Sequence, residues 1–144
     1  MKHITSIRKA VCTIANNFHK SGLSLSESFH KAWEQVKETT FRVTGVTHAG
    51  RQERIRILDN FRKDDLQIGF MRETDNVFDK NAVAVLVMVK SIRKYTKVGY
   101  IPRVIAARFA PVMDKGIKIR AELGGILGGY GEKENYGMLI RAAV

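Results

Sequence analysis

An α+β fold is expected: an N-terminal αα-hairpin followed by a small antiparallel barrel, or strongly bent sheet, carrying one or two helices. Two observations over the 144 residues predict it. Apolar residues recur at helical spacing up to about residue 38 and then switch to a spacing of two from Phe41 onward. That second part holds about seven short alternating runs set off by glycine, proline and polar turns, with one helical interruption, a pattern suited to a small barrel.

The elements follow in order. In "ITSIRKAVCTIANNFHK" (4–20), Ile4, Ile7, Val11, Ile14, Ala15 and Phe18 fall on one side of a helix. Gly22 interrupts. Ser24 then caps a second helix, about 25–38, with Glu27 at the capping-box position three residues on. Its apolar face is Leu25, Phe29, Ala32, Trp33 and Val36, and Trp33 reads as a packing residue. Beyond Thr39-Thr40, "FRVTGV" (41–46), "ERIRIL" (53–58), "LQIGFM" (66–71), "AVAVLVMV" (82–89) and "KVGYI" (97–101) read as strands, the fourth of them central. In "ERIRIL" the alternation turns Ile55 and Ile57 inward and Arg54 and Arg56 outward. Pro102 opens a helix through "RVIAARF", Pro111 is expected to break or restart it, and "MDKG" ends it. "IKIRAEL" (117–123) and "YGMLIRAA" (136–143) complete the strands. The change of period divides the chain into a helical hairpin, 1–40, and a β-rich domain, 41–144.

The formal net charge is +11, from 25 Lys and Arg against 14 Asp and Glu. The excess is spread over folded-looking sequence, which suits a polyanionic partner, above all nucleic acid. The longest apolar run is too short to span a bilayer. The first residues lack the apolar stretch and cleavage site of a secretory signal, so a cytoplasmic protein is expected. Cys12 is the only cysteine, which excludes an intrachain disulfide and a cysteine-rich zinc site; it reads as inert packing beside the first apolar stripe. His3, His19, His30 and His48 have no metal-ligand spacing. "GGILGGYGEK" (124–133) has phosphate-binding composition, but Tyr130 stands where a P-loop needs Lys-Ser/Thr, and its glycines read as turn residues between the last strands. No motif points to a cofactor or to catalysis. A metal-dependent nuclease would need clustered carboxylates, and Glu73, Asp75 and Asp79 are the candidates for it.

Those acids lie in "RETDNVFDKNAVAV" (72–85), an acidic, amide-rich loop in a basic chain. Together with "FRVTGVTHAGRQERI", "VGYIPRVIAARFAPVMDKG" and a last strand opening on "YG", it resembles the HIRAN domain over residues 41–144. The resemblance implies an OB-type β-barrel and non-catalytic binding of single-stranded DNA, notably at a free 3′ end, in repair, replication or mobile-element DNA processing. In the family loop N-P-Y-D-x-N-A, Asn76, Asp79 and Asn81 match; Phe78 keeps the ring without the hydroxyl, and Val77 replaces proline. Where end-binding members carry a basic and an aromatic residue, this chain has Thr47 and His48, followed by Arg51.

The chemistry of the loop agrees with that implication. A carboxylate such as Asp79 accepts a terminal hydroxyl, asparagine side chains and turn amides donate to phosphate oxygens, and Phe78 can stack on a base. The same residues also suit a turn in which Asp79 and Asn81 lead into the next strand. Arg51 is the first candidate for the phosphates. Arg93, Lys94 and Tyr95, in "KSIRKYTK" (90–97), serve either as a phosphate grip or as a charged edge that discourages aggregation. A second class of function stays open, a protein partner or self-association through the apolar faces of residues 4–36.

Overall fold

The computed structural model describes residues 2–129 and 135–143, with side chains from residue 7 onward; the side chains of His3 and of Ile4 on the first stripe, and Tyr130 to Lys133 of the glycine-rich stretch, lie outside what it describes. Helix α1 spans Lys2–Lys20 and α2 spans Leu25–Val36. Gly22, with φ +109°, makes the turn between them. The expected capping box forms: the Glu27 amide donates to the Ser24 hydroxyl oxygen, and the Glu27 carboxylate accepts from the Ser24 amide. Val11, Ile14 and Ala15 meet Ala32 and Val36 in a small core completed by Val112 from a later helix. Two readings need correction. Trp33 is 51% exposed rather than packed, and Cys12 is exposed on α1.

Among the described residues, the rest of the fold sets two three-stranded antiparallel sheets with two further α-helices. One has the order β1-β6-β5, from Thr39–Arg42, Gly137–Ala143 and Arg120–Leu127; the other is β2-β3-β4, from Leu66–Arg72, Val83–Val89 and Lys94–Tyr100. The central position of the valine-rich strand is as expected. Val83, Val85, Val87 and Val89 all point into the main core, where each contributes about 1.5–3 kcal/mol of burial. The sheets join where Thr44 and Tyr100 exchange backbone hydrogen bonds of 2.8 and 2.9 Å. A Cβ on Gly99 would collide there with the Thr44 carbonyl oxygen and the Val43 side chain, so only glycine lets the two segments meet. Gly124 and Gly125 lie within β5 at an irregularity in its pairing with β6, not in a turn; Gly128 and Gly129 take positive φ beyond the strand.

"ERIRIL" is helical, contrary to the alternation. Helix α3 spans Arg51–Leu58 and starts after Gly50, at φ +72°. Its residues are mostly good helix formers, Glu53 and Arg56 pair one turn apart, and Ile55 and Leu58 share a helical face buried in the main core. Ile57, expected inward, is exposed. A three-residue spacing satisfied a two-residue reading by coincidence at Ile55. Pro111 does not break α4, which runs Arg103–Asp114. The proline costs a hydrogen bond near the last turn, while Ala106, Phe109 and Ala110 bury in the main core and Val112 in the hairpin core on either side of it.

Candidate nucleic-acid interface

The loop between β2 and β3 is built by its own side chains. Asn76 Oδ1 accepts from the amides of Phe78 (2.9 Å) and Asp79 (3.1 Å), and Asp79 Oδ1 accepts from the Asn81 amide (2.9 Å). These are successive Asx turns, so the amides of Phe78, Asp79 and Asn81 are already occupied and do not remain to hold phosphate oxygens. Arg72 fixes the loop from beneath, donating to the carbonyls of Ala82 and Lys80 while paired with Asp114 at 2.9 Å. Arg103, the first residue of α4, donates to the Phe78 carbonyl. With both its amide and its carbonyl hydrogen-bonded, Phe78 projects into solvent at 84% exposure.

Below Phe78 lies a cavity of about 880 Å³. It gathers five residues singled out in the sequence, His48 and Arg51 from one segment and Asn76, Phe78 and Asp79 from another, and adds Thr44, Tyr100 and Arg103. Asn81 is not in its wall; its amide serves the turn. Arg93, in the β3–β4 turn, and Lys94 and Tyr95, at the start of β4, also lie elsewhere, with Tyr95 about 17 Å along β4 from Tyr100.

The charges within the cavity are unequal in freedom. Asp79 Oδ2 is 3.8 Å from Arg103 Nε, and Arg103 is 75% exposed, so this pairing is loose and solvent-screened. Arg51 donates to the Gly45 carbonyl at 2.7 Å, and its buried Nε has no acceptor among the described residues. Its guanidinium lies 5.3 Å from the centre of the Tyr100 ring, with Lys97 Nζ at 4.3 Å from that centre. Glu73 accepts from Lys97 (2.8 Å) and from the Tyr100 hydroxyl (3.0 Å). Partial burial works against ionising Glu73, yet the hydrogen bonds from Lys97 and Tyr100 outweigh it and hold the carboxyl below its ordinary range. Burial likewise opposes the charge on Lys97, and Glu73 and Tyr100 raise its pKa in spite of it. Glu73 is thereby committed to bracing Tyr100. Among the described residues, no three His, Cys, Asp or Glu side chains converge as metal ligands would, and Glu73, Asp75 and Asp79 form no such group.

Tyr100 and Arg103 were missed in the sequence reading. The signal was present in "VGYIPR": Val98 and Ile101 are buried, Gly99 admits the Thr44 segment, Pro102 leads into α4, and the two remaining side chains face the cavity. No helix among the described residues is long and apolar enough to cross a membrane.

No curated protein matches the chain. One solved structure, a structural-genomics target protein from Lactobacillus plantarum, aligns with 75% of this chain and 100% of its own at 21% identity and a TM-score of 0.47. The model of the HIRAN domain family matches residues 36–126, a span running from the end of α2 into β5 that includes every residue lining the cavity. The chain therefore belongs to the HIRAN family of DNA-binding domains.

Proposed function

We propose that this protein binds single-stranded DNA at free 3′-hydroxyl ends, without catalysing a reaction, through the cavity beneath Phe78. The observation that carries this reading is the exposed Phe78 ring, held by its backbone over a cavity that has arginines and one carboxylate. Phe78 stacks on the terminal base, a contact worth about 1–3 kcal/mol. The Asp79 oxygen not used in the turn, only loosely paired with Arg103, accepts the terminal hydroxyl hydrogen. Arg51, Arg103 and His48 take the adjoining phosphate in place of the turn amides. The +11 charge adds sequence-independent attraction that weakens with salt. Such end binding fits repair, replication or the processing of mobile-element DNA, and a chain working in the cytoplasm.

The test is competition between 3′-hydroxyl and 3′-phosphate oligonucleotides for wild type and Asp79→Asn. A 3′-phosphate sets its charge against Asp79 and removes the donated hydrogen, so wild type prefers the hydroxyl by about 1.5–3 kcal/mol. Asp79→Asn narrows the preference, and Lys118→Ala leaves it unchanged. Equal affinity of wild type for both ends would reduce Asp79 to a turn former.

The hairpin supports a second reading. Leu25 and Trp33 both stand more than half exposed on α2, as a surface for a protein partner or for self-association would require. We further propose that residues 1–40 form a unit separable from 41–144. Light scattering over a concentration series, with Trp33→Ser as the control, tests self-association.

A further inference from the structure

Directly opposed residues of an antiparallel ladder share a face. In β2-β3-β4 the inner face is the core, and the registers Gln67↔Met88↔Tyr95, Gly69↔Leu86↔Lys97 and Met71↔Ala84↔Tyr100 define the outer one. The charges on that outer face are paired at one end, where Lys97 donates to Glu73 beside Tyr100, and the rest of it is apolar apart from Gln67. Met71 is 46% exposed and Tyr95 64%, Leu86 and Met88 are half-buried between them, and Gly69 leaves the middle bare. The apolar shelf is about 14 Å long along β2. At one end it meets the cavity, whose wall includes Tyr100. At the other, Gln67 belongs to the lining of a second and larger cavity of about 1020 Å³, between β2 and β5.

Four cations surround this second cavity, Arg62, Lys63, Lys90 and Arg141, against two acids, Asp64 and Glu122. Glu122 is paired with Arg141 at 2.7 Å and Asp64 lies 3.4 Å from the highly exposed Arg62, which leaves the cavity with an excess of positive charge. An apolar shelf with cations at both ends suits an occupant that alternates flat rings with negative charge. A second copy of a chain with net charge +11 would be repelled there.

We propose that the outer face of β2-β3-β4 is a track for single-stranded DNA, on which bases beyond the terminal nucleotide lie over Met71, Leu86, Met88 and Tyr95 while the backbone runs on to the cations between β2 and β5. The inference rests on the cavity as the seat of the end and extends its footprint across a whole sheet. It gives Tyr95 a role as a stacking residue on a shelf, where the sequence left open a phosphate grip or a charged edge at a hairpin tip.

The test uses 5′-labelled oligothymidylates with free 3′ ends, from trimer to dodecamer, titrated against the full chain by fluorescence anisotropy. The dodecamer binds wild type at least about fivefold more tightly than the trimer, the equivalent of one stacked base. Met71→Ala with Tyr95→Ala, both at exposed positions, abolishes that gain and leaves the trimer affinity unchanged. Arg62→Glu lowers the dodecamer affinity and its salt dependence without affecting the trimer. If the trimer binds and length adds nothing, or if the gain survives the double substitution, the track is refuted while the end-binding cavity stands. If neither oligonucleotide binds, both readings fall.

Discussion

Replacing Phe78 by alanine is expected to weaken DNA binding without weakening the fold. The magnitudes follow from how the residue is held. Complete burial of a phenylalanine contributes about 1.5–3 kcal/mol, but Phe78 is 84% exposed, so the part lost on truncation is below about 0.5 kcal/mol. Its amide bond to Asn76 and its carbonyl bond from Arg103 are made by backbone atoms and survive the substitution. The loop therefore keeps its shape and loses only a ring. If that ring stacks on a base, the loss is about 1–3 kcal/mol, or roughly five- to 140-fold in Kd. Urea unfolding and anisotropy on the same preparations separate the two quantities. Phe78→Tyr keeps the stacking face and should bind like the parent, whereas Phe78→Leu keeps an apolar group and should behave nearly like alanine. A fall in stability above about 1 kcal/mol with unchanged affinity would make Phe78 a packing residue and refute the reasoning; so would an alanine variant unchanged in both.

Three further outcomes are expected. The Glu73–Lys97 pair contributes stability above the ordinary glutamate pKa, about 4.3, that is lost as pH falls through the lowered value in the folded chain; the Lys97 contribution is complete below about 10.4 and is lost as pH rises through its raised value. Glu73→Gln should accordingly remove part of the acid-side slope of stability against pH, and an unchanged slope would deny the pair that role. Arg72→Lys cannot reproduce the fork to Ala82, Lys80 and Asp114, so it should destabilise by about 1–3 kcal/mol in urea and loosen the loop, which amide exchange at Phe78 and Asp79 would register. A fragment of residues 38–144 retains β1 but uncovers Val112, which is fully buried in the intact chain; it should unfold cooperatively at a lower urea midpoint and still bind DNA, and loss of cooperativity would mean the hairpin is not separable.

The fold was legible wherever one local signal acted alone. The Ser24 capping box, the helical stripes and the valine strand each follow from spacing, and the structure has them. The errors arose where two spacings overlap or where distant packing decides. "ERIRIL" satisfies both periods at Ile55, and only the buried partner Leu58 three residues on selects the helix. Pro111 survives within α4 because residues on both sides of it are buried. Trp33 belongs to an apolar stripe by spacing, yet nothing in the sequence says how much of that stripe α1 covers. At the site, the acidic loop announced itself by composition, but the division of labour inside it did not. Asn76 and Asp79 spend one oxygen each on turns, and Tyr100 and Arg103 reach the cavity from segments that read as a strand end and a helix start.

The central claim is that the protein recognises an end rather than a length of strand. The most direct measurement compares a circular single-stranded DNA with its linear form of the same sequence, cut to leave a 3′-hydroxyl, as competitors for a bound labelled oligonucleotide. Length, sequence and any shelf contact are the same for both, so the two differ in having ends. The linear form should compete at least about tenfold better per molecule, a difference of about 1.4 kcal/mol that the hydroxyl bond to Asp79 and the stacking of Phe78 on a terminal base together supply. Equal competition by the circle would contradict end recognition and leave a binder of single strands at internal positions.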